Sequence, residues 1–348
     1  MNDTNLNTTV AFSDVPLSKE DFVSDQQVRW CPGCGSHAVL NSVEAVFPRI
    51  GYKKENFMIV SGIGCSSRFP YYVNTYGIHG IHGRASAIAT GVKIANPGLS
   101  VWIATGDGDS MAIGGNHFIH LIRRNVDVNL LLFNNQIYGL TKGQYSPTSP
   151  MGTVTKTSPQ GTIEHPFNPG ELVIGSQGTF FARVTDSNQK MMTEVMFEAA
   201  RHDGTSVIEI LQNCIIFADK AHAQITSKDL RADNQLHLKH KQPMVFGKEN
   251  EKGLILKGTQ LEVVTIGIDG ITLRDILVHD QYSLDPGIHL MLAKMGPPNF
   301  PVALGVIRSA KFSTYDDLVE EQIKKAKSMA KVHNVDELLN SGDVFVID

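Results

Sequence analysis

The sequence lacks several features that define large classes of protein. None of its apolar runs approaches the length of about 18 residues that a membrane-spanning helix needs. No apolar segment follows the polar N-terminal stretch MNDTNLNTTV, so we expect no secretory signal and a cytoplasmic location. The formal net charge of −4 gives no general attraction to nucleic acid or to an anionic membrane. These absences leave an enzyme or a protein-binding subunit as the main possibilities.

Cysteine is also scarce, with four residues in 348. In a reducing cytoplasm disulfides are rare, so these cysteines are better explained as ligands or core residues. Two of them, Cys31 and Cys34, form a C-x-x-C pair in the stretch RWCPGCGSH. That spacing serves zinc sites, iron–sulfur clusters and redox couples, and a free cysteine is often a small core residue. The pair alone does not decide among these alternatives.

The hydrophobic pattern predicts an α/β fold with a parallel sheet flanked by helices. Strands are expected at 57–60, 101–104, 128–133, 206–210 and 261–266, and helices at 36–46, 82–93, from Met111 to Arg124, and around 319–330. The strand, helix and second strand between 101 and 133 form a βαβ unit. We expect a polar arm over 1–20, a main domain over 21–221, and a C-terminal α+β extension over 222–348 on the same core.

A long loop is expected over 145–170, because this stretch holds five prolines among many Ser, Thr and Gly residues. Loops of this length inside a compact domain are usually functional.

The most informative motif is a pair of polar turns at the ends of two predicted strands. Gly106-Asp107-Gly108 follows the first strand, and Asn134-Asn135 follows the second after 25 intervening residues. Each turn alone is also what a surface turn or a strand end would show. In a parallel sheet, however, both turns lie at the carboxyl edge, where α/β folds bind ligands. A carboxylate, an amide oxygen and diphosphate oxygens would suit Mg²⁺. The stretch GDGDSM is neither the dinucleotide fingerprint G-x-G-x-x-G nor a P-loop.

These motifs resemble those of the β subunits of 2-oxoacid:ferredoxin oxidoreductases, over most of residues 25–220. The resemblance implies a thiamine diphosphate (ThDP) fold with Mg²⁺ on Asp107, Asn135 and the carbonyl of Ile137. It implies ThDP contacts at nine positions: Ile63, Gly64, Cys65, Ser66, His82, Gly108, Asp109, Gly139 and Leu140. It also implies that Cys31, Cys34, Cys65 and Cys214 hold one [4Fe–4S] cluster. A Cys₄ zinc site is the main rival, but such sites usually use two C-x-x-C pairs.

The implied reaction is the oxidative decarboxylation of a 2-oxoacid, with the acyl group passed to coenzyme A and the electrons to ferredoxin. The reverse carboxylation would use the same site. An α subunit would supply the glutamate beside the ThDP pyrimidine ring and the coenzyme A site. The Ala/Gly-rich helix near 85–95 and the N-terminal arm are candidate contacts with it.

Two basic residues are candidates for substrate recognition. The family places a basic residue near the substrate carboxylate at the position of Arg68. Lys142 would meet a second, distal carboxylate. Each of the two could instead be a solvated surface charge. The stretch GLTKGQ with SPT resembles the 2-oxoglutarate-type and broad-specificity members, which implies 2-oxoglutarate first, with pyruvate or a broad range of 2-oxoacids as the alternative. A non-redox ThDP decarboxylase and a non-enzymatic electron carrier are less favoured, because each would leave one of the two motifs unused.

Overall fold

The computed structural model describes residues 10–343, 345 and 347, and it is built around one eight-stranded sheet. The strands are β1 (Phe57–Ser61), β2 (Tyr76–His79), β3 (Ser100–Gly106), β4 (Asn129–Asn134), β5 (Ile137–Tyr138), β6 (Gln144–Tyr145), β7 (Phe180–Thr185), β8 (Ser206–Leu211), β9 (Gln235–His237), β10 (Val245–Phe246), β11 (Lys252–Lys257), β12 (Gln260–Thr265) and β13 (Val302–Ser309). The α-helices are α1 (Ser36–Ile50), α2 (Phe69–Tyr72), α3 (Ala85–Ala95), α4 (Asp107–Met111), α5 (Gly115–Arg124), α6 (Pro169–Gly175), α7 (Gln189–Ala199), α8 (Ala223–Thr226), α9 (Arg231–Asn234), α10 (Gly287–Lys294), α11 (Tyr315–Met329) and α12 (Val335–Leu339).

The main sheet has the strand order β2-β1-β3-β4-β8-β7-β13-β9. The first six strands in this order, β2, β1, β3, β4, β8 and β7, run parallel to one another, and β13 runs antiparallel to β7. Strand β9 pairs with β13 in parallel at the far edge. The carboxyl ends of β1, β3, β4 and β8 therefore lie side by side.

Helices cover both faces of this sheet, as the continuous apolar strands require. On one face Trp102 and Phe133 pack with α1 and α7 in a buried cluster. On the other face Ile103 and Leu132 pack with α3 and α5. Adjacent residues of β3 and β4 thus point to opposite cores, which is why sequence alternation is absent from these strands.

Most expected elements are confirmed by the structure, and one is corrected. The helix expected from Met111 to Arg124 is broken into α4 and α5, with Ala112–Gly114 between them. Its end is as expected, because Asn125 adopts a left-handed cap at φ 53°. On α5, Ile119 is 36% exposed, whereas Phe118, Leu121 and Ile122 are buried. The break re-aims the helix after the GDG turn, a change that the apolar spacing did not reveal.

The polar arm expected over 1–20 stays a prediction. In its described part most residues are exposed, but Val10 is buried and the Phe12 ring lies tilted against Tyr52, 5.1 Å between centroids. The Ser13 amide donates to the Gly51 carbonyl at 2.8 Å. Residues 1–9 lie outside the described part of the chain.

The C-terminal part contributes to the same core, because β9 and β13 extend the main sheet. A separate three-stranded antiparallel sheet is formed by β10, β11 and β12. The helix expected around 319–330 is α11, and its apolar side chains are largely exposed, with Ile323 at 40%. The division at residue 221 stays a prediction. Within the described residues, we find no helix that combines the length and the apolar character needed to cross a bilayer.

Candidate active site at the carboxyl edge of the sheet

Three polar residues follow three adjacent parallel strands at one level of the sheet. Asp107 follows β3, Asn135 follows β4 and Gln212 follows β8. The register pairs Gly106 with Phe133 and Asn134 with Leu211, so the three strands end nearly in line. The candidate site is built on this edge.

Asp107 is buried at this edge, with 2% of its surface exposed. Its Oδ2 atom accepts hydrogen bonds from Ser146 Oγ at 2.5 Å and from Thr148 Oγ1. Burial raises the pKa of Asp107 above its ordinary value, and the two hydroxyl groups partly oppose this rise. A divalent cation beside this carboxylate would offset the cost of burying its charge.

The segment after β4 folds back over the GDG turn. The Tyr138 hydroxyl donates to the Gly108 carbonyl at 2.9 Å, and the tyrosine ring packs against Gly108. A β-carbon at Gly108 would lie 2.3 Å from that ring, so the close approach requires glycine. Asn135 Oδ1 accepts from the Ile137 amide at 3.3 Å. The carboxylate of Asp107, the amide oxygen of Asn135 and the carbonyl of Ile137 form a donor set that fits Mg²⁺.

Asp109 plays a different part from Asp107, although it is equally buried. Its carboxylate accepts from His82 Nδ1 at 2.5 Å, from the amides of Gly83 at 2.7 Å and Ile63 at 3.0 Å, and from Thr105 Oγ1 at 2.7 Å. The side chain thus joins three segments that the sequence predicts to contact ThDP. His82 presents its other ring nitrogen, Nε2, away from Asp109 and lies 6.2 Å from the Tyr138 ring, centroid to centroid.

The remaining predicted ThDP contacts surround this group. Ser66 is buried, and its Oγ lies near the position of Gly106. Gly64 precedes Cys65 in the same turn as Ile63, which is 37% exposed. Gly139 and Leu140 follow Tyr138 at the start of the turn that joins β5 and β6, and Leu140 is 51% exposed. These predicted ThDP contacts line one side of the candidate site at the carboxyl edge of the main sheet.

The four cysteines are brought together from three distant parts of the chain. The Trp30 indole donates to the Cys65 carbonyl at 2.7 Å, which joins the loop carrying Cys31 and Cys34 to the turn carrying Cys65. A β-carbon at Gly139 would lie 3.5 Å from Cys214 Sγ and 3.8 Å from Cys65 Sγ. Gly139 therefore lies beside both thiols, and a β-carbon there would be in van der Waals contact with each of them.

The thiols also act on one another electrostatically. Burial, followed by the charges of the other three cysteines, raises the pKa of Cys65 to about 11. Burial likewise raises the pKa of Cys34, with smaller effects from Cys214 and Cys31. Across residues 10–343, no three His, Cys, Asp or Glu side chains converge as ligands of a single metal ion. A four-iron cluster makes a different demand, because its four thiolates bind four separate irons. Cys31, Cys34 and Cys214 all lie close enough to Cys65 to raise its pKa, and such a grouping of four thiols fits that demand.

The two residues predicted to recognise substrate lie apart from each other. Arg68 Nε donates to the Tyr72 hydroxyl at 2.8 Å, and the arginine charge acts on the Cys65 thiol. Lys142 is exposed in the β5–β6 turn and has a left-handed backbone with φ 74°. It shares an open groove with Lys156 and Phe217. No described contact joins Lys142 to Asp107 or His82, so its role stays a prediction.

Sequence reasoning missed four residues that support the site. Ser146 and Thr148 hold Asp107, Gln212 lies between Asn135 and Cys34, and Trp30 joins two cysteine turns. The available signal for the first two was the polar stretch SPTSP, which follows the Asn-Asn turn after ten further residues.

Comparison with known proteins supports this description. Residues 62–210 match the family described as thiamine pyrophosphate enzyme, C-terminal TPP binding domain. The "2-oxoglutarate oxidoreductase subunit KorB" of Mycobacterium tuberculosis is 45% identical over 98% of this chain and 92% of its own length. The "2-oxoglutarate synthase subunit KorB" of Archaeoglobus fulgidus is 43% identical over 58% of this chain and 73% of its own length. The "2-oxoacid:ferredoxin oxidoreductase 2, subunit beta" of Aeropyrum pernix is 45% identical over 56% of this chain and 63% of its own length.

A solved structure extends the likeness to the whole fold. The 2-oxoglutarate:ferredoxin oxidoreductase from Magnetococcus marinus, determined with 2-oxoglutarate, coenzyme A and succinyl-CoA bound, matches with a TM-score of 0.76 and 30% identity. The match covers 96% of this chain and 99% of that one. The fold and the edge site define a ThDP-binding enzyme domain. The chain belongs to the family of the β subunits of 2-oxoacid:ferredoxin oxidoreductases, among them the KorB subunits.

Proposed function

We propose that the chain is the β subunit of a 2-oxoglutarate:ferredoxin oxidoreductase. The reaction converts 2-oxoglutarate and coenzyme A to succinyl-CoA and CO₂, and its two electrons reduce ferredoxin through a [4Fe–4S] cluster. ThDP, when bound, supplies the carbanion chemistry that decarboxylation of a 2-oxoacid needs. The observation that carries this proposal is the position of Gly139, which lies beside the thiols of Cys65 and Cys214 and directly follows the tyrosine on the GDG turn. The two cofactor sites therefore adjoin.

In this proposal the protein residues bind and orient. Asp107, Asn135 and the Ile137 carbonyl would hold Mg²⁺ against the ThDP diphosphate. His82 and the Ile63–Ser66 turn, fixed by Asp109, would line the other side of the cofactor. Cys31, Cys34, Cys65 and Cys214 would hold the cluster close enough to accept electrons from the same site.

The substrate proposal has a second candidate. Relatives from Mycobacterium tuberculosis and Archaeoglobus fulgidus are named for 2-oxoglutarate, whereas the one from Aeropyrum pernix is named for 2-oxoacids in general. A broad range that includes pyruvate is therefore the alternative. Lys142 and Arg68 would favour a dicarboxylate such as 2-oxoglutarate, because each would offer a cation to one carboxylate.

An α subunit is the proposed partner. The ThDP match covers one domain, 62–210, and the rim of the edge site exposes apolar side chains. Ile63 is 37%, Leu140 51%, Ile113 54% and Ile81 72% exposed. A partner that covers these residues would exclude water and would supply the pyrimidine-side glutamate and the coenzyme A site.

The two cofactor sites are tested by a pair of variants in the complex purified with its α subunit. Asp107→Ala should lose ThDP and Mg²⁺ and keep four irons per chain, because only the diphosphate anchor is removed. Cys214→Ala should lose the cluster spectrum and keep most ThDP. The readouts are iron, sulfide and ThDP content. ThDP retained at the wild-type level in Asp107→Ala, or iron retained at about four per chain in Cys214→Ala, would overturn the corresponding assignment.

A further inference from the structure

We propose that Gln212 is a positioning residue that links the magnesium site to the cluster site. The inference rests on the proposed function, because it assigns Gln212 a role toward Mg²⁺ and toward the [4Fe–4S] cluster. Gln212 would orient one Mg²⁺ ligand, Asn135, and tune one cluster ligand, Cys34, through a single side chain.

Both polar atoms of the Gln212 side chain, and its backbone amide, have hydrogen-bond partners. Gln212 is 2% exposed, and its backbone amide donates to the Asn134 carbonyl at 3.0 Å. Its Nε2 atom donates to Ser36 Oγ at 2.6 Å and approaches Cys34 Sγ at 3.6 Å. Its Oε1 atom accepts from Asn135 Nδ2 at 3.1 Å. One amide group therefore spans the gap between the two predicted ligand sets.

The hydrogen bond between Gln212 and Asn135 decides which end of the Asn135 side-chain amide faces the metal. An asparagine can present either its oxygen or its NH₂ group, and only the oxygen is a ligand for Mg²⁺. Because Gln212 Oε1 takes the Nδ2 group, Asn135 Oδ1 is left on the opposite side. There it meets the Ile137 amide, in the segment whose carbonyl is the third predicted ligand. Gln212 thus preorganises the oxygen donor.

The bond to Cys34 acts on the cluster. A reduced cluster carries one more negative charge than an oxidised one, so an N–H group directed at a ligand sulfur stabilises the reduced form. Hydrogen bonds to the sulfurs are among the factors that set cluster potentials. Ser36, which also lies 3.5 Å from Cys34 Sγ, fixes the direction of the Gln212 NH₂ group.

Glutamine alone among side chains of this size meets both demands. It offers an acceptor at one end and a neutral donor at the other. Methionine keeps the shape but offers neither function of the amide. Glutamate keeps the acceptor for Asn135 but replaces the amide donor beside Cys34 with a carboxyl group.

The test uses the complete complex with its α subunit and compares Gln212→Met with Gln212→Glu. Mg²⁺ affinity is measured by titrating Mg²⁺ against ThDP retention, and the cluster potential by a redox titration followed by electron paramagnetic resonance. Gln212→Met should weaken Mg²⁺ binding roughly 10- to 100-fold, as loss of a group that orients a metal ligand does, and should lower the potential. Gln212→Glu should keep Mg²⁺ affinity near the wild-type value and lower the potential.

The matched control is Gln281→Met. Gln281 is another buried glutamine, 6% exposed, and its side chain donates to Glu198 rather than to either site. This control should leave both measurements unchanged. Wild-type potential in Gln212→Glu, or equal Mg²⁺ affinity in wild type and Gln212→Met, overturns the inference. If the Gln212→Met complex does not assemble, the cluster potential of Gln212→Glu tests the inference by itself, and a wild-type value overturns it. A wild-type complex without a cluster signal would instead contradict the proposed function.

Discussion

Asp107 and Asp109 lie two residues apart in one short helix and have opposite surroundings. Asp109 is satisfied by four donors from three segments, so its carboxylate serves the local structure. Asp107 receives two hydroxyl groups on one oxygen, and burial raises its pKa. These surroundings favour Asp107 as the proposed cation anchor, and they assign the fixing of His82 to Asp109. The resemblance already separates the two, with Mg²⁺ on Asp107 and a ThDP contact at Asp109, but the hydrogen bonds that distinguish their carboxylates are visible only in the fold.

Lys142 carries the prediction about substrate choice. If it pairs with the distal carboxylate of 2-oxoglutarate, Lys142→Ala removes a charge-assisted contact worth roughly 1.5–3 kcal/mol. The value of kcat/KM for 2-oxoglutarate should then fall about ten- to a hundred-fold, and the value for pyruvate much less. Steady-state kinetics on both substrates checks this.

Lys156→Ala is the matched control for that variant, because Lys156 is exposed in the same groove as Lys142. It should change neither substrate's kcat/KM. Equal losses for the two substrates in Lys142→Ala would mean that the lysine supports the turn or the cofactor site and does not recognise the distal carboxylate.

At the scale of elements, the loop after β6 is part of the site. Its Ser146 and Thr148 hydroxyl groups hold Asp107, and Thr148 Oγ1 also lies 3.0 Å from Asn134 Oδ1. Asn134 in turn donates to Glu209, which forms a buried ion pair with Arg183 at 2.6 Å. The loop is therefore tied to the interior of the sheet through a continuous polar network.

This network predicts the effect of changing the loop. Replacing both hydroxyls, in Ser146→Ala with Thr148→Val, removes the two side-chain donors to the buried Asp107 carboxylate and leaves it only the backbone donors at residues 107 and 108 among those described. Mg²⁺-dependent ThDP retention should weaken roughly 10- to 100-fold, the usual cost of losing groups that orient a metal ligand. Dialysis against graded Mg²⁺ followed by ThDP assay measures this.

The control for the loop is Thr153→Val. The Thr153 hydroxyl donates to the Pro150 carbonyl at 2.6 Å on an exposed part of the same loop. ThDP retention should be normal in this variant. A double variant that retains ThDP as the wild type does would mean that the loop closes the site without holding Asp107.

Whether a site residue could be predicted from the sequence depends on how far apart its contacting partners lie along the chain. The GDG and Asn-Asn turns were predictable because both follow strands of one βαβ unit, so local pattern places them together. Gln212 was not, because its partners Ser36 and Asn135 come from distant segments that only the folded sheet brings near. The same holds for β13, whose antiparallel place beside β7 depends on the whole sheet. Motif spacing reveals ligands more readily than the residues that hold them.

At the scale of the whole molecule, buried histidines predict how stability depends on pH. Burial lowers the pKa of His202 and of His279 to about 4, and it also lowers the pKa of His222 and His289. Histidines in the unfolded chain have ordinary pKa values of about 6.5. Between about pH 4 and about pH 6.5 the unfolded chain therefore binds more protons than the folded chain. The free energy of unfolding should therefore fall as pH drops from about 6.5 to about 4.

The variant that checks this is His279→Gln, because His279 is 1% exposed and its Nε2 lies 2.9 Å from the Val306 carbonyl. Glutamine keeps an N–H donor but does not titrate. The thermal midpoint should then fall less steeply with acid. The corresponding change in the free energy of unfolding is at most the contribution of one proton, about 1.4 kcal/mol per pH unit. The exposed His165 provides the control, and His165→Gln should leave the slope unchanged. An unchanged slope in His279→Gln would show that this histidine is protonated within the fold.

The central claim is that one chain brings a ThDP–Mg²⁺ site and a four-cysteine cluster site together for oxidation of 2-oxoglutarate. The most direct measurement is the cluster spectrum of the anaerobic complex with its α subunit, recorded before and after adding 2-oxoglutarate and coenzyme A without any other reductant. The account predicts that visible absorbance bleaches and that a reduced-cluster signal appears in the wild type, and that both are lost in Asp107→Ala, which keeps its iron. A wild-type cluster that stays oxidised while 2-oxoglutarate is decarboxylated would contradict it.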